Sequence, residues 1–182
     1  MNRGLLSLIE AEYLRYKALG EGTFRQLSAE ELVTDSAGAN SIAMIVWHVA
    51  GNLESRFTDF LTTDGEKPWR KRDSEFEPRT PSRDEIQEKW NRGWRVLFGS
   101  LQELTDDDLS RPVTIRGVSM GADEALLRSV AHAAYHVGQI VYLGKCFRGD
   151  SWESLSIPPG KSEEYNANPV FEKAGGHAKR LS

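Results

Sequence analysis

His132 and His136 lie four residues apart in a stretch, Ser129 to Gly144, that holds no Asp, Glu, Lys or Arg. On a helix this spacing sends both imidazoles from one face, one turn apart, so two nitrogens can share a metal ion. His48 stands in a second charge-free stretch, Ser41 to Leu53. An imidazole in so apolar a setting must find a partner or cost a few kcal/mol. A third ligand to the pair has to come from another element, and His48 is the obvious donor. Three neutral imidazoles leave a divalent ion with its charge intact and at least one open position. That is the ligand count of a reactive site, whereas structural zinc sites usually close with four ligands.

Spacing removes two other metal chemistries. The pair reads His132-Ala-Ala-Tyr-His136, without the glutamate that a zinc peptidase places after its first histidine. No Glu-x-x-His occurs, so the paired motifs of a di-iron carboxylate bundle are missing. Gln139 shares the face of His132 and His136 and is a candidate positioning group for bound water or substrate. Asn52 sits one turn beyond His48, with the same choice between site and backbone partner. Tyr135 and Trp47 adjoin ligands in sequence and are expected to pack in the core. Cys146, ten residues past His136, is expected to be an inert packing residue. The fourth histidine, His177, falls outside the proposed cluster. The donor set does not select among zinc, nickel, iron and copper.

Four long helices must carry these residues. The first is expected over about Arg3 to Gln26, with Leu5, Ile9, Tyr13, Tyr16 and Leu19 recurring every three or four positions. The second starts at Asn40 or Ser41, either of which can cap it, and runs to about Leu61. The third opens on a capping box, Ser82-Arg-Asp-Glu85, and carries the stripe Ile86, Trp90, Trp94, Leu97, Leu101 and Leu104. The fourth runs from about Ala122 to Phe147. Before it, Val113 to Met120 alternates about a turn at Arg116-Gly117, the pattern of a small hairpin. Ser28-Ala-Glu-Glu-Leu32 and Thr105-Asp-Asp-Asp-Leu109 echo one another ahead of the second and fourth helices. Two related helical hairpins would bring those two helices together in the middle. The expected class is therefore all-α, a four-helix bundle with a small β-hairpin before its fourth helix. The domain is expected over residues 1–168, with 169–182 a flexible, frayed tail. Asp64 to Pro81 reads as a charged connection, and Arg70-Lys71-Arg72 within it as a solvated loop.

A chain of 182 residues, 39% hydrophobic and 27% charged, has the composition of an ordinary globular domain. A net charge of −4 disfavours general nucleic-acid binding, which needs clustered cations. No apolar run approaches the roughly 20 residues that cross a bilayer, so no membrane partner is expected. One cysteine cannot form an internal disulfide, and the N-terminus lacks a positive-then-apolar leader; a cytoplasmic protein is expected.

Ile45-Val-Trp-His48-Val-Ala-Gly-Asn52 and Ala131-His132-Ala-Ala-Tyr-His136-Val-Gly-Gln139-Ile140 resemble the DinB-like (YfiT-like) superfamily of metal-binding four-helix bundles. Ser156-Ile-Pro-Pro-Gly-Lys-Ser-Glu-Glu-Tyr-Asn166 is similar to the end of an uncharacterised bacterial branch of it. The resemblance spans about residues 3 to 168 and implies one histidine ligand from the second helix and two from the fourth, matching His48, His132 and His136. It implies zinc, nickel or a similar ion, often a homodimer, and activities that mostly transfer or use low-molecular-weight thiols. It implies no polymerase chemistry. The leading expectation is a metal-dependent, S-transferase-like enzyme acting on a small-molecule substrate. The alternatives are a metal-dependent hydrolase, which needs a general base not visible beside the ligands, and a non-catalytic metal-binding or stress-response protein.

Overall fold

The computed structural model describes residues 2–35, 38 and 40–182. It is mostly helical, with seven α-helices among the described residues and one two-stranded antiparallel hairpin. In chain order these are α1 (Gly4–Gln26), α2 (Ala29–Val33), α3 (Ile42–Phe57), α4 (Arg83–Gln102), β1 (Pro112–Ile115), β2 (Val118–Gly121), α5 (Ala122–Arg148), α6 (Ser162–Ala167) and α7 (Ala174–Leu181). Short 3-10 turns at Asp73–Phe76, Asp106–Ser110 and Gly149–Ser151 join them. None of the described helices is long and apolar enough to cross a membrane.

Local chemistry sets most boundaries. Ser41 caps α3, its hydroxyl accepting from the Met44 amide at 3.3 Å. Ser82 and Glu85 close the capping box expected for α4. The two echoing segments each form a helical turn closed by a capping box, Ser28 with Glu31 and Thr105 with Asp108, and each buries its leucine, Leu32 or Leu109. α1 has no side chain of its own at its cap. Instead Asp106 accepts from the Leu5 and Leu6 amides at 3.1 and 3.0 Å, while Arg3 donates to the Leu101 and Leu104 carbonyls at the end of α4. The start of one helix and the end of another thus satisfy each other's unpaired backbone groups.

α3 packs along α4, and α1 along α5; α3 meets α5 over a smaller area. The expected central pairing of α3 with α5 is thus a minor contact of the bundle. The α4 stripe is buried throughout, and Tyr13, Trp94 and Trp90 meet edge to face in the middle of the core. Gly93 lets α3 and α4 approach closely: a Cβ there would lie 2.7 Å from the Ala50 Cα.

Four expectations need correction. α3 ends at Phe57, before Leu61, because Asp59 turns the chain at φ 50°, although Phe60 still reaches the core. Leu6 takes the core position expected of Leu5, which is exposed at the helix start. α5 is not buried all round: Leu127, Tyr135 and Tyr142 face outward, and Cys146 is exposed rather than packed. Residues 174–181, expected to fray, form α7, which packs on α1 and buries His177 and Leu181. His177 donates to the Leu155 carbonyl at 2.7 Å, and Arg25 of α1 donates to the Leu181 carbonyl.

The hairpin forms as expected, with Val113 opposite Met120 and Ile115 opposite Val118. Arg116 and Gly117, at φ 54° and 74°, make the two-residue turn whose positive φ angles suit the strand twist. Asp64 holds it, accepting from the Arg116 and Gly117 amides at 2.9 and 2.8 Å.

Candidate metal centre

His48 projects from the middle of α3, and His132 and His136 from adjacent turns of α5. One ring nitrogen from each lies within 4.8 Å of those of the other two. His48 Nε2 is 3.1 Å from His132 Nε2, and the three ring centroids are 4.5–5.1 Å apart. His48 is buried, and His132 and His136 are half-buried. The structure therefore brings together the three residues singled out by spacing.

The orientation of two rings follows from their other nitrogens. His48 Nδ1 is 2.9 Å from Glu75 Oε2, and a carboxylate only accepts, so Nδ1 carries the proton and Nε2 presents a lone pair to the cluster. His136 Nδ1 likewise donates to Gln139 Oε1 at 2.8 Å, leaving Nε2 free. Gln139 thus touches a candidate ligand and sets its tautomer, a role for the side chain other than contact with water or substrate. Burial lowers the His132 pKa to about 3, and the neighbouring His136, His48, Arg70 and Arg56 add to the effect. Burial also lowers His136, against the opposing bond from Gln139. Both rings are therefore neutral at physiological pH, the form that offers a lone pair.

Glu75 is the member of the site that spacing does not reveal. It lies on the 3-10 turn after α3, 27 residues from His48, in the segment that reads as a charged connection. Its carboxylate is buried and also accepts from Arg70 Nε and Nη2 at 2.8 and 3.0 Å. Burial opposes its charge, but the bonds from His48 and Arg70 outweigh that and hold its pKa below the usual carboxylate value. The Arg70 side chain is itself 2% exposed, so the solvated-loop reading of the basic cluster fails at this residue. The Phe76 ring covers His48 at a centroid distance of 4.8 Å. The one sequence signal for this arrangement is an acidic residue beside an aromatic, Glu75-Phe76, following closely on an arginine.

The donor set fits a divalent transition metal. Nitrogens sharing a tetrahedral ion at bonds of about 2.0–2.1 Å stand about 3.3 Å apart, close to the spacing of His48 and His132. The carboxylate behind His48 is the outer-shell partner that metal-bound histidines ordinarily have.

Beside His132 opens a cleft of about 340 Å³, walled by α3, the hairpin and the first turns of α5. Asn52 lines it, one turn along α3 from His48. Tyr135, expected in the core, is exposed with its ring against the edge of His136. Cys146 does not join the cluster.

No curated protein and no solved structure matches the chain. A family model does, over residues 1–161, a span that contains the three histidines, Glu75, Gln139 and the hairpin. The chain belongs to the family described as Protein of unknown function (DUF1572).

Proposed function

We propose that this is a divalent-metal protein of DinB-like, four-helix-bundle type that uses the ion to transfer or act with a low-molecular-weight thiol. The observation that carries the reading is the convergence of His48, His132 and His136 from two helices, with two of the three rings oriented by a second partner. Four long helices, α1, α3, α4 and α5, agree with the bundle, and a match to an uncharacterised family agrees with an uncharacterised branch. The three histidines would hold zinc, nickel or a similar ion. A bound divalent ion supplies the charge that keeps a thiol deprotonated at neutral pH. Glu75 and Gln139 fix the rings of His48 and His136, and the cleft beside His132 holds the second substrate near the site.

Hydrolysis ranks behind transfer. Glu75, the carboxylate in contact with the cluster, is already bonded to His48 and Arg70 and is not free to act as a base. A role in metal storage or sensing would not require the cleft. The homodimer implied by the resemblance would use the outer face of α5, where Leu127, Tyr135 and Tyr142 recur at helical spacing. Calorimetry of the zinc-loaded protein with glutathione, bacillithiol and mycothiol, in buffers of differing ionisation enthalpy, tests the main reading. Binding should release a proton and weaken as pH falls, because protons compete for the thiol. Cobalt-loaded protein should gain a sulfur charge-transfer band. Absence of binding at millimolar thiol, with no band, sinks the transferase reading.

A further inference from the structure

The cleft beside His132 has two kinds of wall. Phe57, Phe60, Ile115, Val118 and Met120 make an apolar surface. Three arginines line it: Arg56 from α3, Arg116 from the hairpin turn and Arg128 from α5. Among the described residues no Asp or Glu lines it. In a protein with a net charge of −4, three cations around one small cleft call for a cause.

Holding the hairpin in place is not a sufficient one. Its turn is already fixed by Asp64 through two backbone amides, and Gly65 donates to the Thr114 carbonyl at 2.7 Å. Glu66 lies behind the cleft and accepts from both Arg56, at 3.2 and 3.3 Å, and Arg116, at 3.0 Å. Glu66 is shared by two guanidiniums, and the other carboxylate of the network, Asp64, is taken up by the amides of the hairpin turn. Arg128 belongs to no part of that network; among the described residues it reaches only Glu124, at 3.7 Å on the open helix surface, a contact worth little in water. Arg56 is the most enclosed of the three, with its side chain 13% exposed, so its charge acts across less water than the other two.

We infer that this cleft binds a small organic oxyanion, with its apolar body on the phenylalanine and hairpin surface and its carboxylate or phosphate at Arg56, Arg116 and Arg128. Both groups match the fork of a guanidinium. A cleft of about 340 Å³ limits the occupant to a small molecule. The inference deepens the proposed function, and rests on it only in placing the reacting end of the molecule at His132. The hairpin acquires a purpose: it supplies one cation and most of the apolar wall, which a bundle of helices alone would leave open.

The test is an NMR titration of the zinc-loaded, full-length protein with 4-phenylbutanoate, 2-phenylethyl phosphate and the uncharged 4-phenylbutanol. At low salt at least one anion should bind about tenfold more tightly than the alcohol, the scale of one charge-assisted hydrogen bond, and the preference should shrink as salt rises. The double variant Arg56→Gln/Arg116→Asn should bring the ratio to about twofold or less, asparagine being chosen because it tolerates the positive φ of the turn. If that variant does not fold, Arg116→Asn and Arg128→Gln, both at exposed side chains, should each lower the ratio severalfold. Equal binding of anions and alcohol by the wild type overturns the inference, as does an unchanged ratio in the folded variants. Zinc content is measured on the same samples. Stoichiometric zinc without an anion preference removes this inference alone. An anion preference in protein that takes up no zinc upholds it and removes the metal reading.

Discussion

At the scale of single residues, the three candidate ligands and their two partners should separate in experiment. His132→Ala and His136→Ala should each abolish stoichiometric metal uptake, read by elemental analysis. Far-UV circular dichroism should change little, because the apolar stripes supply the core. Unfolding of both variants would make the metal structural instead. Glu75→Gln keeps the size of the side chain but removes the charge that holds His48 Nδ1–H and Arg70. Loss of such an outer partner weakens metal binding by about 10–100-fold, so competition with a chelating dye should give a shift of that order. Retained affinity would show that Glu75 merely pairs with Arg70. The difference in legibility between these residues has a physical source. His132, His136 and His48 stand out because charge-free helical stretches leave them as the only groups there that titrate near neutral pH, a property of local sequence. Glu75 reaches the site from an aperiodic segment, and its approach depends on how that segment folds back over α3.

At the scale of elements, helix ends and helix contacts decide how accurately the candidate ligands are placed. Asp106 caps α1 from another part of the chain, and its bonds from the Leu6 and Leu5 amides lower its pKa from the ordinary 3.8. A carboxylate depressed in the folded state contributes stability above its unfolded pKa and loses it as pH falls through the folded value. Asp106→Asn should therefore lower Tm at pH 7, and the Tm values of variant and wild type should converge as pH drops below 3.8. A difference that persists in acid would assign the effect to something other than the charged cap. Gly93→Ala should force α3 away from α4, since the new Cβ meets backbone that cannot turn aside. Overpacking of this kind costs about 1–3 kcal/mol, measurable by urea unfolding. Because α3 carries His48, zinc affinity should fall with it. The α4 stripe and its capping box are legible because periodicity and cap agree. The α1 stripe is displaced by one residue at its start, where Leu5 and Leu6 are both apolar and tertiary contact selects between them. The spacing of Phe57 and Phe60 predicts a longer α3 than forms, because the chain brings Phe60 to the core with a turn.

For the whole molecule, the question is what the last part of the chain contributes. Its glycines, lysines and arginine are the composition of a loose end, yet α7 packs along α1. Leu181, Leu155 and Ala18 form a second small core there, with Trp152 and Leu19 against it. His177 and Arg25 secure the helix through backbone carbonyls. The pattern is hard to read beforehand because only two of the eight α7 residues, His177 and Leu181, are buried, too few to set a period. The family match also stops at residue 161, so the centre and α7 fall on opposite sides of that limit. Truncation after Asn168 should then separate stability from metal binding. Uncovering Leu155 and Ala18 and losing Leu181 should cost about 2–4 kcal/mol, on the scale of burying one or two aliphatic side chains, and lower the urea midpoint accordingly. Zinc stoichiometry should hold, since the ligands ride on α3 and α5 and no partner of the three histidines comes from α7. A frayed end would leave the midpoint unchanged, and loss of zinc along with stability would mean that α7 holds α1, and through it α5, in the register that brings His132 and His136 to His48.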